Sequence, residues 1–361
     1  MPGMPAATSP LRSLSLHAPH RGAPELMLVR LANQLSPGEQ PYDAVPRLEQ
    51  RIAELLGKQA AVLFPTGTMA QQVAMRLHAE ERGRRAVAFH PYCHLDESEQ
   101  QGYTVVHGLR GVRVGERERL LTLAELAEVG EPLAALLLEL PQRSIGGQLP
   151  EWDDLVAQTD WARARGAAAH LDGARLFLTQ PYYQRPLAEI AGLFDSVYVS
   201  ATKGLGGIAD AVLAGTEEFC RAARVWRHRL GGAAEVAWPS ALAAEWSLAA
   251  NLPRVPEYLA TARELARGLS AVEGIEVLCD PPQTPLFHLH LAASPESVLV
   301  AGERLSEERG VYLPRYAGAL PSPRMSAIEI TVGDQFDDVP VAEAVELLGE
   351  LVARARKLDQ A

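Results

Sequence analysis

Six short apolar runs constrain this chain more than any other feature. "AVAFH", "TVVHGL", "AALLLEL", "AAAHLD", "SVYVSA" and "AVLAG" follow one another between residues 86 and 215. Each has the length of one strand, and none alternates polar with apolar residues along its whole length. A strand that is apolar on both faces must be covered on both, which points to a mostly parallel sheet held between helical layers. The stretches between the runs supply the helices. "AVPRLEQRIAELLGK" carries apolar residues at helical spacing and stops at Gly57, while "AAVLFPTGTMAQQVAMRLHAEE" reads as strand, turn and helix. The class predicted is α/β, and sites in such sheets gather beyond the carboxyl ends of the strands.

The pattern changes near "WSLAANLPRVPEYLATARELARGLSAVEG", a long helical tract. Beyond it, "IEVLCD", "FHLHLAA", a helix over 296–309, "VYLPR", "IEITVGD" and a terminal helix read as a smaller α+β unit. The division expected is a flexible or wrapping tail over 1–25, a large domain over 26–250 and a small C-terminal domain over 251–361. The tail is rich in Pro, Ala and Ser and has no continuous apolar segment of the secretory-signal kind.

Composition excludes several classes. The chain of 361 residues is 47% hydrophobic, enough for a large core, and contains no run of bilayer-spanning length. A formal charge of −11 without a basic patch argues against nucleic-acid binding. Cys93, Cys220 and Cys279 are widely spaced and form neither a disulfide framework nor a CxxC site, a usage that suits a reducing cytoplasm. His288 and His290 in "FHLHL" are only two potential ligands, so no metal site is expected.

Charged residues at the ends of apolar runs are the informative exceptions. Of 34 Lys and Arg residues, only Lys58, Lys203 and Lys357 are lysines. Lys58 sits at a helix end and Lys357 in the polar final turns, where a cation complements the helix dipole. Lys203 follows the run "SVYVSA", and a partly buried lysine amine becomes nucleophilic, which a guanidinium does not. Asp172 ends the preceding run, one βαβ unit earlier, so both side chains can face one pocket. A lysine that forms a Schiff base with pyridoxal 5'-phosphate needs such an aspartate beside the pyridine nitrogen, and it needs a phosphate cup. "FPTGTMAQQ" is a candidate cup: Thr66 and Thr68 bring hydroxyls, Gly67 allows close approach, and a helix start offers free N–H groups. The same turn also reads as an ordinary helix N-cap. Thr202 could add a phosphate contact.

"HLDGARLF", "SATKGLGG" and "FPTGTMAQQ", in that spacing, resemble the threonine aldolase and aromatic amino acid β-eliminating lyase family of fold-type-I pyridoxal phosphate enzymes. The similarity runs from about Tyr42 to about Gly231. It implies an aspartate-aminotransferase-like large domain with a mostly parallel seven-stranded sheet and a smaller α+β C-terminal domain. By the resemblance, Lys203 is the Schiff-base lysine, Asp172 the pyridine partner, and Thr66, Gly67 and Thr68 the cup. Arg175 is implied on the phosphate side or at the substrate carboxylate. His94 is implied as the ring-stacking histidine and hydroxyl base, with Glu99 beside it. An amino acid substrate and a homodimer or homotetramer, with the site at the subunit interface, are implied as well.

The chain also departs from the family. No counterpart of its opening serine segment is present, and Gln142 of "ELPQR" stands where relatives have a histidine that contacts the substrate hydroxyl, so Gln142 is expected to orient that hydroxyl. Glu235 replaces an arginine. The late carboxylate-binding arginine is missing, so Arg315 or Arg324 would have to substitute. The reading is retro-aldol cleavage of a β-hydroxy-α-amino acid to glycine and an aldehyde. β-Elimination or another reaction at Cα is the alternative, and cofactor binding without lyase activity is a second. A nicotinamide site at "GLGGIADAVLAG" is disfavoured because a strand-like run follows the glycines where a helix should open.

Overall fold

The computed structural model describes residues 12–14, 24–34, 38, 40–208, 211–314 and 316–360. It divides into two compact units, Leu35–Val255, and Met1–Gln34 together with Pro256–Ala361.

The larger unit holds seven strands: β1 (Ala60–Phe64), β2 (Ala86–Phe89), β3 (Arg110–Arg113), β4 (Ala135–Glu139), β5 (Ala168–Gly173), β6 (Ser196–Val199) and β7 (Ala211–Gly215). They form one sheet in the order β1-β7-β6-β5-β4-β2-β3. β7 runs antiparallel to β1 and β6, and every other pairing is parallel. All residues of β2, β4, β5, β6 and β7 are buried. That double coverage is why these segments read as continuous apolar runs.

Helices cover the sheet through alanine-rich and aliphatic faces. α1 (Ala44–Leu56) buries Leu48, Ile52 and Leu56, each contributing roughly 1.5–3 kcal/mol. It ends at Gly57, whose φ of 61° is the left-handed conformation that a glycine tolerates. α2 (Gly67–Arg82) packs Ala70, Val73 and Ala74 into the core that contains Phe64, Phe89 and Tyr198. This helix also buries Gln71, Gln72 and His78, polar groups that need partners.

One expected strand is absent. "TVVHGL" overlaps the one-turn helix Gly102–Val105, with Val105 and Val106 exposed. The strand lies just beyond, as β3, with arginines at both ends. It is the edge of the sheet, where solvent on one side removes the need for an apolar run.

The second unit contains a four-stranded antiparallel sheet. Its strands are β8 (Ile275–Leu278), β9 (Leu286–Leu291), β11 (Gly318–Ala319) and β12 (Ser326–Thr331), in the order β11-β12-β9-β8. Helices Pro295–Arg309 and Val341–Leu358 complete the α+β arrangement. Arg12–Ser13 pairs in parallel with β10 (Val311–Tyr312), and this long-range pairing, with helix Pro24–Ala32, groups the N-terminal residues with the C-terminal unit. The linear division expected from the sequence assigns residue 26 onward to the large domain, whereas the larger compact unit begins at Leu35. Most of the expected 1–25 tail lies outside the described residues. No helix among those described is long and apolar enough to cross a membrane.

Candidate active site

Three parallel strands bring Glu139, Asp172 and Tyr198 into one row. Glu139 of β4 is in register with Asp172 of β5, which is in register with Tyr198 of β6. Register partners on neighbouring strands project to the same face, so two carboxyl groups and a phenol stand side by side at the strand ends. Gly173 then lets the chain turn, since a Cβ there would lie 2.6 Å from the carbonyl oxygen of Tyr198. The amide of Ala174 donates to Asp172 Oδ1 at 3.0 Å and fixes the carboxylate.

Lys203 enters the same space from the short helix Thr202–Leu205 that follows β6. Its amide donates to Ser200 Oγ at 3.4 Å. One cavity is lined by Lys203, Asp172, Arg175, His94, Glu139 and Arg143. Burial pulls the Lys203 amine below its ordinary pKa; Asp172 opposes this, and Arg175 and Arg143 add to it. An amine whose pKa is lowered is better suited to nucleophilic attack on a carbonyl carbon. Glu139 moves the other way, up to about 7, through burial and then the charge of Asp172.

His94 opens the helical turn His94–Glu97, and its backbone N–H donates to Glu139 Oε1 at 2.6 Å. Its Nδ1 lies 3.1 Å from Glu99 Oε1, while Gln72 Nε2 donates to Glu99 Oε2 at 3.1 Å. Burial raises the pKa of Glu99. A carboxylate oxygen facing Nδ1 suits the tautomer that carries its proton there and leaves Nε2 its lone pair.

The remaining expected residues fall in several places. Thr66 accepts from Met69 N at 3.2 Å, the ordinary N-cap of α2. Thr66, Gly67 and Thr68 do not line the cavity themselves, and Gly67 meets Tyr198, the register partner of Asp172. A Cβ on Gly67 would stand 2.2 Å from the Tyr198 hydroxyl, so only glycine leaves room at this turn. Gln142 is turned away: its Nε2 donates to Glu139 Oε2 at 2.8 Å and to the carbonyl of Tyr92 at 3.4 Å. Its side chain lines a neighbouring cavity with Leu121, Leu138, Leu155 and Gln158. The next residue, Arg143, faces Lys203 instead. Glu235 is exposed, and Arg324 is exposed in the turn before β12, in the other compact unit. Arg315 lies outside the described residues. Lys58 Nζ donates to the carbonyl of Phe194 at 2.6 Å, which accounts for it structurally. Among the described residues no three His, Cys, Asp or Glu side chains gather as metal ligands.

Sequence reasoning missed Glu139, Arg143 and Tyr198. Glu139 was detectable, because a carboxylate ending the apolar run "AALLLEL" is the same signal that marked Asp172. A polar layer just before the site was also missed. His170 Nε2 lies 2.5 Å from Gln71 Oε1, and Ser196 Oγ lies 2.7 Å from both His170 Nδ1 and His78 Nε2. Gln71 Oε1 can only accept, so His170 carries its proton on Nε2 and Ser196 donates to its Nδ1. Burial, followed by the charge of His78, holds the pKa of His170 well below its ordinary value.

That depression has a sign for stability. In the unfolded chain His170 binds a proton as pH falls below about 6.5, while the folded form resists it. Its contribution is therefore complete above that pH and is lost as pH falls toward the folded pKa. Glu139 and Glu99, both raised by burial, act in the opposite direction. The test must therefore read a difference: His170→Asn is expected to flatten the decline of the urea midpoint between about pH 7 and 5. An unchanged pH slope would remove His170 as the source.

The sequence profile described as "Beta-eliminating lyase" matches residues 33–293, and the chain belongs to that family. A protein of Listeria monocytogenes, provisionally described as an L-allo-threonine aldolase, has a solved structure similar to this one. The TM-score is 0.86 at 34% identity, covering 94% of this chain and 95% of that one. Low specificity L-threonine aldolase of Escherichia coli K12 is 30% identical over 253 residues, 68% of this chain and 74% of its own. Low-specificity L-threonine aldolase 1 of Arabidopsis thaliana is 27% identical over 285 residues, 76% of this chain and 79% of its own.

Proposed function

We propose that the protein is a pyridoxal-phosphate-dependent lyase that cleaves a β-hydroxy-α-amino acid between Cα and Cβ, yielding glycine and an aldehyde. The observation that carries this is the gathering of Lys203, Asp172 and His94 around one cavity. The residues fit the cofactor chemically. Lys203 offers a buried amine of lowered pKa, Asp172 a fixed carboxylate for the pyridine nitrogen, and α2 an N-terminus for the phosphate, with glycine demanded at its first turn. Thr66 and Thr68 would supply hydroxyls at that end, and Thr202 another from the short helix that carries Lys203. When bound, the cofactor supplies an electron sink for the pair left on Cα as the Cα–Cβ bond breaks.

The chain's own residues handle the proton. His94, fixed by Glu99, accepts the β-hydroxyl proton at Nε2 as the aldehyde C=O forms. Arg175 neutralises either the phosphate or the substrate carboxylate. Asp172 and Glu139 keep the cavity from becoming wholly cationic. The reading extends to a homodimer or homotetramer, which rests on the family resemblance, and to the cytoplasm, which rests on the cysteine usage.

One observation favours the β-elimination alternative: Gln142, which stands where relatives carry the hydroxyl-contacting histidine, is held outside the cavity by Glu139 and Tyr92. Incubation with β-hydroxy amino acids and with amino acids bearing a β-leaving group separates the two. Glycine with aldehyde is the expected product. Pyruvate with ammonia would replace the aldolase reading by an eliminase, and a bound cofactor without any product would leave a binding protein.

A further inference from the structure

We infer that Arg143 holds the α-carboxylate of the amino acid substrate, an assignment that rests on the lyase reading above and deepens it. Three cations line the cavity, each delivered by the segment after a different strand: Lys203 after β6, Arg175 after β5 and Arg143 after β4. The order β6-β5-β4 sets them in sequence along the sheet. The start of α2, proposed above to take the phosphate, lies at the β6 end of that row, where Gly67 meets the hydroxyl of Tyr198. Arg143 lies at the other end, two strands away, beyond Asp172. A substrate joined to a cofactor whose phosphate rests at α2 brings a second anion, its own carboxylate, and the cation remote from the first anion site is the one placed to receive it.

The segment that carries Arg143 is well fixed. Gln142 N donates to Gln148 O at 2.9 Å, Gly147 N to Gln142 O at 3.2 Å, and Gly146 N to Arg143 O at 3.1 Å. The Gln142 side chain is tied to Glu139, so the turn directs residue 142 out of the cavity and residue 143 into it. A guanidinium is well matched to an α-carboxylate. Its planar fork meets the two oxygens with two parallel hydrogen bonds, and it never competes with Lys203 as a nucleophile. The charge of Arg143 also acts on the Lys203 amine, consistent with the two sharing the space.

Glycine tests the assignment because it has an amine and a carboxylate but no side chain, and glycinamide because it keeps the amine and lacks the charge. Both are titrated against the cofactor-loaded protein, read by the visible absorbance of the bound cofactor. Arg143→Gln is expected to weaken glycine about tenfold to 10²-fold, the size expected for a charged hydrogen bond, and to leave glycinamide unchanged. Arg143→Lys should recover part of the loss, and an unaltered cofactor band in each variant shows that the site is intact. Equal weakening of both ligands, an unchanged glycine affinity, or no glycine binding by the wild-type protein would each overturn the inference. If glycine binding depends on Arg143 but hydroxy amino acids yield no aldehyde, Arg143 keeps its role and only the aldolase reading falls.

Discussion

Lys203→Arg is expected to give a folded protein without measurable turnover. The substitution keeps a cation beside Asp172 and Glu139, so the electrostatic balance of the cavity changes little. What it removes is an amine that can lose its proton. Burial, opposed by Asp172, already lowers the Lys203 pKa, whereas a guanidinium stays charged in any protein setting. The loss should be at least about 10⁴-fold in kcat/KM, beyond the ~10²–10⁴ that removal of a proton-transfer group carries. Glycine release from threonine and allo-threonine measures it, with the urea midpoint as the folding control. Retained turnover in Lys203→Arg would place the chemistry elsewhere.

Asp172→Asn should be the next most damaging change, about 10²–10³-fold in kcat, the range for loss of one preorganised electrostatic contact. The amide has nearly the same shape, and Ala174 N can still donate to its oxygen, so the strand end survives. The variant also has a signature without substrate. Asp172 raises the pKa of both Glu139 and Lys203, so removing its charge lets both fall. The pH at which the cofactor-free protein reacts with an amine-labelling reagent at Lys203 should move down. An unchanged labelling profile together with full activity would detach Asp172 from the site.

Much of this site was legible because burial makes a charge conspicuous. Asp172 and Lys203 interrupt apolar runs at strand ends, and three lysines among 34 basic residues leave few nucleophilic amines to consider. Gly67 stood out as part of a turn before a helix, although its requirement comes from Tyr198, which a linear pattern shows only as one more strand residue. Gln142 and Arg143 mark the limit of such reading. They are adjacent, and which of them enters the cavity is decided by the turn closed between Gln142 and Gln148 and by the hold of Glu139 on the Gln142 amide. Periodicity cannot see either. The edge strand β3 escaped because its exposure removes the apolar signal, and "TVVHGL" misled because a short apolar run is compatible with a helical turn. The pairing of Arg12–Ser13 with Val311–Tyr312 spans nearly the whole chain, and no local pattern announces it.

Everything proposed for this site depends on Lys203 being the residue through which the protein carries pyridoxal phosphate. Borohydride reduction of the cofactor-loaded protein, followed by proteolysis and peptide mass mapping, tests it directly, because the chain offers only two other lysine side chains, at Lys58 and Lys357. One modified peptide is expected, containing Lys203, and none in Lys203→Arg. Label on Lys58 or Lys357, or no label at saturating cofactor, would contradict it.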